Sequence, residues 1–176
     1  MLTLAHAFLI VAALDAAPSR AAPTVISEED GRAADHYVKD GTSWTRELTS
    51  LGEGVGNMLA DVLDGKQTGK AMRAEIKRVA GVIDDRLAAF KARPSPGFPE
   101  MVAFRTLFID YIAWEGRAFV RVMNDMLKIA EDKKQARDAK ADALLKAMRA
   151  SDAEERVWKA KLEPAQAAVY AAINRK

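Results

Sequence analysis

Two charged residues, Arg105 and Glu115, lie on the apolar side of a predicted helix near the middle of the chain. A charge in such a stripe costs several kcal/mol unless it finds a partner. They are ten residues apart in the sequence, roughly 15 Å along a helix axis, so they cannot pair with each other. A glutamate desolvated beside Tyr111 and Trp114 would have a raised pKa, like the general acids of sugar-cleaving enzymes. These four residues form our candidate ligand-binding set, and Glu115 is the single candidate for a catalytic acid. The alternative is an interhelical salt bridge, or an arginine that extends to solvent.

A second polar group consists of His36 and Asp40, which share one face of a predicted helix. Together with Glu28 or Glu29 they could contribute ligands to a metal ion, but a zinc site needs more nitrogen or sulfur ligands than one histidine supplies. The alternative is a solvated polar patch. The chain has no cysteine, which excludes disulfides, thiolate metal sites and covalent haem attachment. We therefore predict no metal and no cofactor.

The charge pattern gives little support for a nucleic-acid partner. The net charge is +2, and lysine and arginine are interleaved with aspartate and glutamate along the chain. A nucleic-acid-binding protein usually carries a basic stripe on one face. We expect no nucleic acid among the partners of this protein.

The first residues resemble an export signal. Residues 2–14 are an apolar run of about thirteen residues, followed by small residues with a possible cleavage point after Ala21. This run has the length of a signal-peptide core and is shorter than the roughly 20 residues that span a bilayer as a helix. We predict a signal peptide at residues 1–21, a periplasmic or secreted protein, and no stable membrane span after cleavage. The alternatives are a first helix of a cytoplasmic protein and a retained membrane tether.

After residue 24, apolar residues recur at spacings of three and four, which indicates helices. The seam is clearest from Trp44 to Val62, where the spacing resembles that of a coiled coil. We predict one all-α domain over residues 22–176, an antiparallel bundle of about four unequal helices. The predicted helical regions are 27–63, 68–92, a long central helix from about residue 99 to 150 that has room for a bend, and a last helix that begins at the capping box of Ser151 and is kinked or restarted near Pro164.

One short segment is similar to a known family. The stretch Leu162 to Gln166 resembles the L-T-x-x-Q element of small helical periplasmic chaperones and stress adaptors, with glutamate in place of threonine. The resemblance covers five residues and would imply binding of client proteins. Helical cell-wall lyases use a glutamate that is followed by serine, whereas Glu115 is followed by Gly116. Our leading hypothesis is a non-enzymatic, chaperone-like or adaptor-like exported protein that binds a protein partner or self-associates. The alternative is an envelope ligand-binding protein or cell-wall-active enzyme that uses Glu115.

Overall fold

Four helices form the part of the chain that the computed structural model describes, residues 25–175. They are α1 (Glu28–Leu63), α2 (Gly69–Ala92), α3 (Pro99–Glu131) and α4 (Arg137–Ile173). No strand occurs within these residues, so the prediction of an all-α helical bundle is confirmed. The predicted signal peptide lies outside the described residues.

The first two helices begin where their sequence caps predict. The Ser27 Oγ accepts a hydrogen bond from the Asp30 backbone N–H at 3.0 Å, and the first turn of α1 is acidic. The Thr68 Oγ1 accepts from the Ala71 N–H at 3.2 Å at the start of α2. Each cap satisfies a backbone donor that has no partner inside the helix. Between the two helices, Gly65 adopts a φ of 72°, a left-handed conformation that closes the turn after α1.

Consecutive helices run antiparallel, so the chain goes up, down, up and down. α1 and α3 lie on a diagonal and contact each other, while α2 and α4 share no contact in the described part of the chain. Ion pairs join each helix to its neighbours. Glu47 of α1 pairs with Arg86 of α2 at 2.8 Å, and Arg73 of α2 pairs with Glu131 of α3. Arg121 of α3 pairs with Glu154 of α4 at 2.6 Å, and Asp64 at the end of α1 pairs with Arg137 of α4 at 3.0 Å.

The predicted apolar seams meet in one hydrophobic core. The buried seam residues of α2 are Met72, Ile76, Val79, Ile83 and Phe90. α3 contributes the largest set, which includes three phenylalanines and Tyr111. Each fully buried large apolar side chain stabilises the fold by about 1.5 to 3 kcal/mol relative to its exposed state. The seams are therefore used within the chain itself.

At one level of the bundle, α1 and α3 approach closely because α1 has a glycine there. A Cβ added at Gly41 would lie 2.8 Å from Cζ of Phe108, closer than real Cβ contacts. The absence of a side chain at Gly41 is thus a packing requirement. It fixes the distance between the two diagonal helices next to the cavity described below.

The boundary between the last two helices differs from the prediction. The expected rod to residue 150 and the new helix at Ser151 are wrong, because α3 ends at Glu131 and Ser151 lies inside α4. The chain turns at residues 132–136, where the Asp132 Oδ1 accepts from the Lys134 N–H at 2.8 Å and the Lys140 ammonium donates to a carbonyl of the last turn of α3 at 2.8 Å. An aspartate side chain that bonds to the backbone two residues later initiates a turn without glycine or proline.

α4 is also assigned as one continuous helix through Pro164, so the predicted restart before this proline is wrong. α1 is also continuous, since its glycines do not interrupt the helix. Packing of Leu162 and Val169, both buried, holds the segment on either side of the proline against the core. Among residues 25–175, no helix combines the length and the apolar character that crossing a bilayer requires.

Candidate functional site

A cavity of about 410 Å³ lies between the middle portions of α1, α3 and α4 and opens to solvent. The α1 side carries three threonines and Arg46. The α3 side is mainly aromatic and apolar and includes Glu115. The α4 side supplies Ser151, Glu155 and Lys159. The cavity therefore combines one apolar wall with two polar walls.

The cavity forms because α1 and α4 are held together at their ends and carry short side chains between them. At one end Asp64 pairs with Arg137 at 3.0 Å. At the other end Gly31 packs on Ile173, to which an added Cβ would be 3.8 Å away. In between, three threonines, one serine and Gly52, which has no side chain, line the gap. Because protein interiors pack as densely as crystals, side chains this short leave a real void.

Glu115 is the acidic group of the apolar wall. Its Oε2 is shielded from solvent and has no hydrogen-bond partner within the described residues. Burial is the largest cause that raises the pKa of Glu115, the negative charge of Glu155 raises it further, and Lys159 and the Tyr111 hydroxyl lower it, giving a pKa of about 7. The carboxyl therefore changes charge near neutral pH, and one of its oxygens can accept a hydrogen bond from a bound molecule.

Tyr111 and Trp114 line the cavity together with this carboxyl, and Trp158 of α4 packs against both rings. The ring of Tyr111 lies 6.0 Å from that of Trp114 and 6.1 Å from that of Trp158, and the two indoles are 5.8 Å apart. Burial, followed by the negative charge of Glu115, raises the pKa of Tyr111. Tyr111 thus remains a neutral phenol and keeps a proton that it can donate.

The α4 side of the cavity carries an ion pair. The Lys159 ammonium lies 2.8 Å from the Glu155 carboxylate, one helical turn away. Both side chains are about one-quarter to one-third exposed, so the pair is partly shielded. Across the opening, Arg46 is exposed and has no acidic partner in the described part of the chain.

The predicted binding set is divided by the structure. Tyr111, Trp114 and Glu115 line the cavity, whereas Arg105 does not. The Arg105 guanidinium donates to the backbone carbonyl of Lys91 in the last turn of α2 at 2.7 Å. Arg105 therefore caps a helix C-terminus, where a cation is favourable.

The His36 and Asp40 pair faces a cation from α2. Arg93 contacts both side chains, with 2.6 Å between its Nη2 and Nδ1 of His36 and a short ion pair to Asp40. His36 and Asp40 are 3.5 Å apart. No group of three or more potential metal ligands occurs within residues 25–175. Arg93 thus supplies positive charge at the position that a metal ion would need.

Sequence reasoning missed the polar residues that α1 and α4 contribute. Thr42, Thr45 and Thr49 recur every three to four residues beside the apolar seam of α1, and Glu155 and Lys159 are one helical turn apart. These spacings place each set on one face of its helix. They do not reveal that the two faces meet Glu115, because that depends on how the helices are arranged. Comparison of the chain with known protein families, characterised proteins and solved structures finds no match.

Proposed function

We propose that this protein binds a small organic molecule in the cavity between α1, α3 and α4. The observation that carries the proposal is the shielded Oε2 of Glu115, which lacks a partner within the described residues and belongs to a side chain that lines the cavity. A volume of about 410 Å³ is within the range of small-molecule sites, which combine apolar walls with a few polar groups. Tyr111, Trp114 and Glu115 are the binding residues of this proposal.

The energetics support a ligand rather than a purely structural role. A buried polar atom without a hydrogen bond costs about 1 to 3 kcal/mol. In a bundle selected only for stability, an apolar residue at position 115 would avoid this cost. A ligand that donates a hydrogen bond to this oxygen would offset that cost on binding.

The protein-partner role suggested by the helical seams has weaker support. The seam residues of α1 and α2 are buried or partly buried in the core of the chain itself. They are therefore not free to pair with another chain. Binding of a protein partner, self-association and export through residues 1–21 remain predictions from the sequence, and ligand binding does not depend on them.

A cell-wall-active enzyme is the second candidate, and one observation favours it. Two carboxyl groups, Glu115 and Glu155, face the same cavity, and the first has a pKa of about 7. Glycoside hydrolases combine a protonated carboxyl with an ionised one. However, Glu155 is paired with Lys159 at 2.8 Å, and this contact would have to break before the carboxylate could act on a substrate. Hydrolysis of purified cell wall that Glu115→Gln abolishes would establish this candidate instead.

Fluorescence of N-phenyl-1-naphthylamine, an uncharged apolar dye, tests the binding proposal. Ala118 is buried and lines the cavity, so Ala118→Phe fills part of the space. The matched control is Ala103→Phe, at an exposed position of the same helix. We expect the wild type and the control to increase the dye fluorescence, and Ala118→Phe to reduce this increase at least tenfold. Equal dye binding by all three proteins would place the dye elsewhere and refute the proposal.

Ala118→Phe could also disturb the core. A second filling variant, Thr45→Phe, approaches the cavity from α1. Far-UV circular dichroism and thermal unfolding establish that each variant is folded. A folded Thr45→Phe protein that binds the dye like the wild type would count against the cavity as the site.

A further inference from the structure

We propose that the ligand of this cavity is an amphipathic organic cation, with an ammonium head group at Glu115 and an apolar body against the aromatic wall. This inference rests on the proposed ligand-binding function and specifies the class of ligand.

The α1 side of the cavity offers hydrogen-bond acceptors from its threonine hydroxyls. The hydroxyls of Thr42, Thr45 and Thr49 donate to carbonyls of α1 itself, at 3.1, 2.8 and 3.0 Å. Each hydroxyl hydrogen is therefore used, and the oxygen lone pairs remain to accept. With the free Oε2 of Glu115, this gives a surface rich in acceptors. An ammonium group, which has only donors, matches that surface.

Charged and titratable side chains of all three helices line the cavity with Glu115. The titratable or charged groups that face it are Tyr111 on α3, Glu155 and Lys159 on α4, and Arg46 at the opening on α1. Lys159 is paired with Glu155, and Tyr111 remains neutral. Arg46 is exposed at the opening. Within residues 25–175 Glu115 forms no ion pair of its own, and a ligand cation beside it would supply one.

Aromatic rings of α3 line the cavity beside Glu115. Trp114 immediately precedes Glu115 and lines the cavity, and its ring lies 6.0 Å from that of Tyr111 and 5.8 Å from that of Trp158. Cations bind to the faces of such rings, tryptophan best. The described part of the chain already uses this contact three times: Arg86 lies 5.4 Å from the Trp44 ring, Arg93 lies 5.6 Å from the Tyr37 ring, and Lys161 lies 5.2 Å from the Trp158 ring. The Trp114 ring beside Glu115 offers an equivalent face to a ligand cation.

Binding of a cation should be coupled to loss of a proton. Below neutral pH, Glu115 carries a proton because burial raises its pKa to about 7. The ammonium keeps its own protons, the Glu115 carboxyl releases one to solvent, and an ion pair forms. By linkage, affinity for the cation then rises about tenfold between pH 6 and pH 8 and levels off above.

Isothermal titration calorimetry with three probes tests the inference on the full chain. The probes are 1-naphthylmethylammonium, the neutral 1-naphthylmethanol and the anionic 1-naphthoate, which share one ring system and differ in head group. We expect the ammonium to bind at pH 8 with a Kd on the order of 0.1 to 1 mM, as its number of atoms allows, and the other two at least tenfold more weakly. At pH 6, titrations in phosphate and in MES buffer, which differ in heat of ionisation and have no net positive charge, should differ by the heat of nearly one released proton.

Glu115→Gln keeps the size of the side chain and removes its charge. We expect it to lose at least tenfold in ammonium affinity, to abolish the proton release and to leave binding of the alcohol unchanged. The matched control is Glu163→Gln, at an exposed glutamate of α4 outside the cavity. It should behave like the wild type.

The outcomes separate the two proposals. Equal affinity for the ammonium and the alcohol, both lost in Ala118→Phe, would overturn the cation inference and leave the ligand-binding function standing. Tightest binding of the naphthoate would show that Lys159 and Arg46 dominate, and would also overturn the cation inference. Binding of none of the three probes would overturn the cation inference, whereas the ligand-binding function is decided by the N-phenyl-1-naphthylamine titration of the wild type and Ala118→Phe.

Discussion

Replacing Glu115 by glutamine should make the protein more stable at pH 8 and change its stability by less than about 1 kcal/mol at pH 5. Glutamine has the size of the protonated glutamate and never ionises. The difference between the two proteins therefore reports the cost of placing a negative charge at this position, because all other titrating groups are common to both.

The size of the effect follows from the two pKa values of this carboxyl. The ordinary pKa of a glutamate is 4.5 and that of Glu115 in the folded protein is about 7. One pKa unit corresponds to about 1.4 kcal/mol, so the full difference is up to about 3 kcal/mol. Since the folded protein holds this proton more tightly than the unfolded chain, the contribution of Glu115 to stability is fully present below about pH 4.5 and is lost as the pH rises through 7. Glu115→Gln should show no such loss.

Urea denaturation followed by far-UV circular dichroism at pH 5, 6, 7 and 8 measures the difference. The free energy of unfolding of the variant minus that of the wild type should grow with pH and level off above about pH 7. In thermal unfolding, 3 kcal/mol corresponds to roughly 6 to 12 °C in Tm for a protein of this size. A difference that does not change with pH would refute the reasoning, and a less stable variant at pH 8 would mean that a cation of the protein stabilises the carboxylate. Glu163→Gln should show no pH-dependent difference.

Three further predictions concern packing, charge and helix boundaries. Gly41→Ala should lower the free energy of unfolding by about 1 to 3 kcal/mol, because its Cβ would overlap the phenylalanine ring 2.8 Å away; Gly54→Ala, where nothing lies within 4 Å, should raise it by up to about 1 kcal/mol in the same urea titration. Glu155→Gln should lower the pKa of Glu115, since the charge of Glu155 raises it, and an NMR titration of the side-chain carboxyl carbon measures this; an unchanged pKa would show that the two carboxyls do not interact. Ser151→Ala should be neutral or stabilising by about 0.5 kcal/mol, because the serine lies inside α4; a loss of about 1 kcal/mol would instead indicate a helix cap there.

Local signals in the sequence were sufficient to predict where α1 and α2 begin and which faces they bury. Ser27 and Thr68 act through hydrogen bonds to residues three positions later, and such contacts depend only on the neighbouring residues. The boundary between α3 and α4 was mispredicted because residues 132–136 contain no glycine or proline. Their turn is formed by aspartate and lysine side chains that are equally compatible with a continued helix.

The sequence by itself determined that the chain forms amphipathic helices and that an acid at position 115 lies on an apolar face, because side-chain direction along a helix follows from its period of 3.6 residues. Only the tertiary structure decided what meets that acid. The fold brings the threonines of α1 and the Glu155–Lys159 pair of α4 to the same cavity. The Arg105 side chain lies outside this cavity and contacts the C-terminal end of α2. The physical reason is that contacts between helices depend on their rotation and separation, and here these are set by packing of the shared core, including the close approach of the two diagonal helices at Gly41.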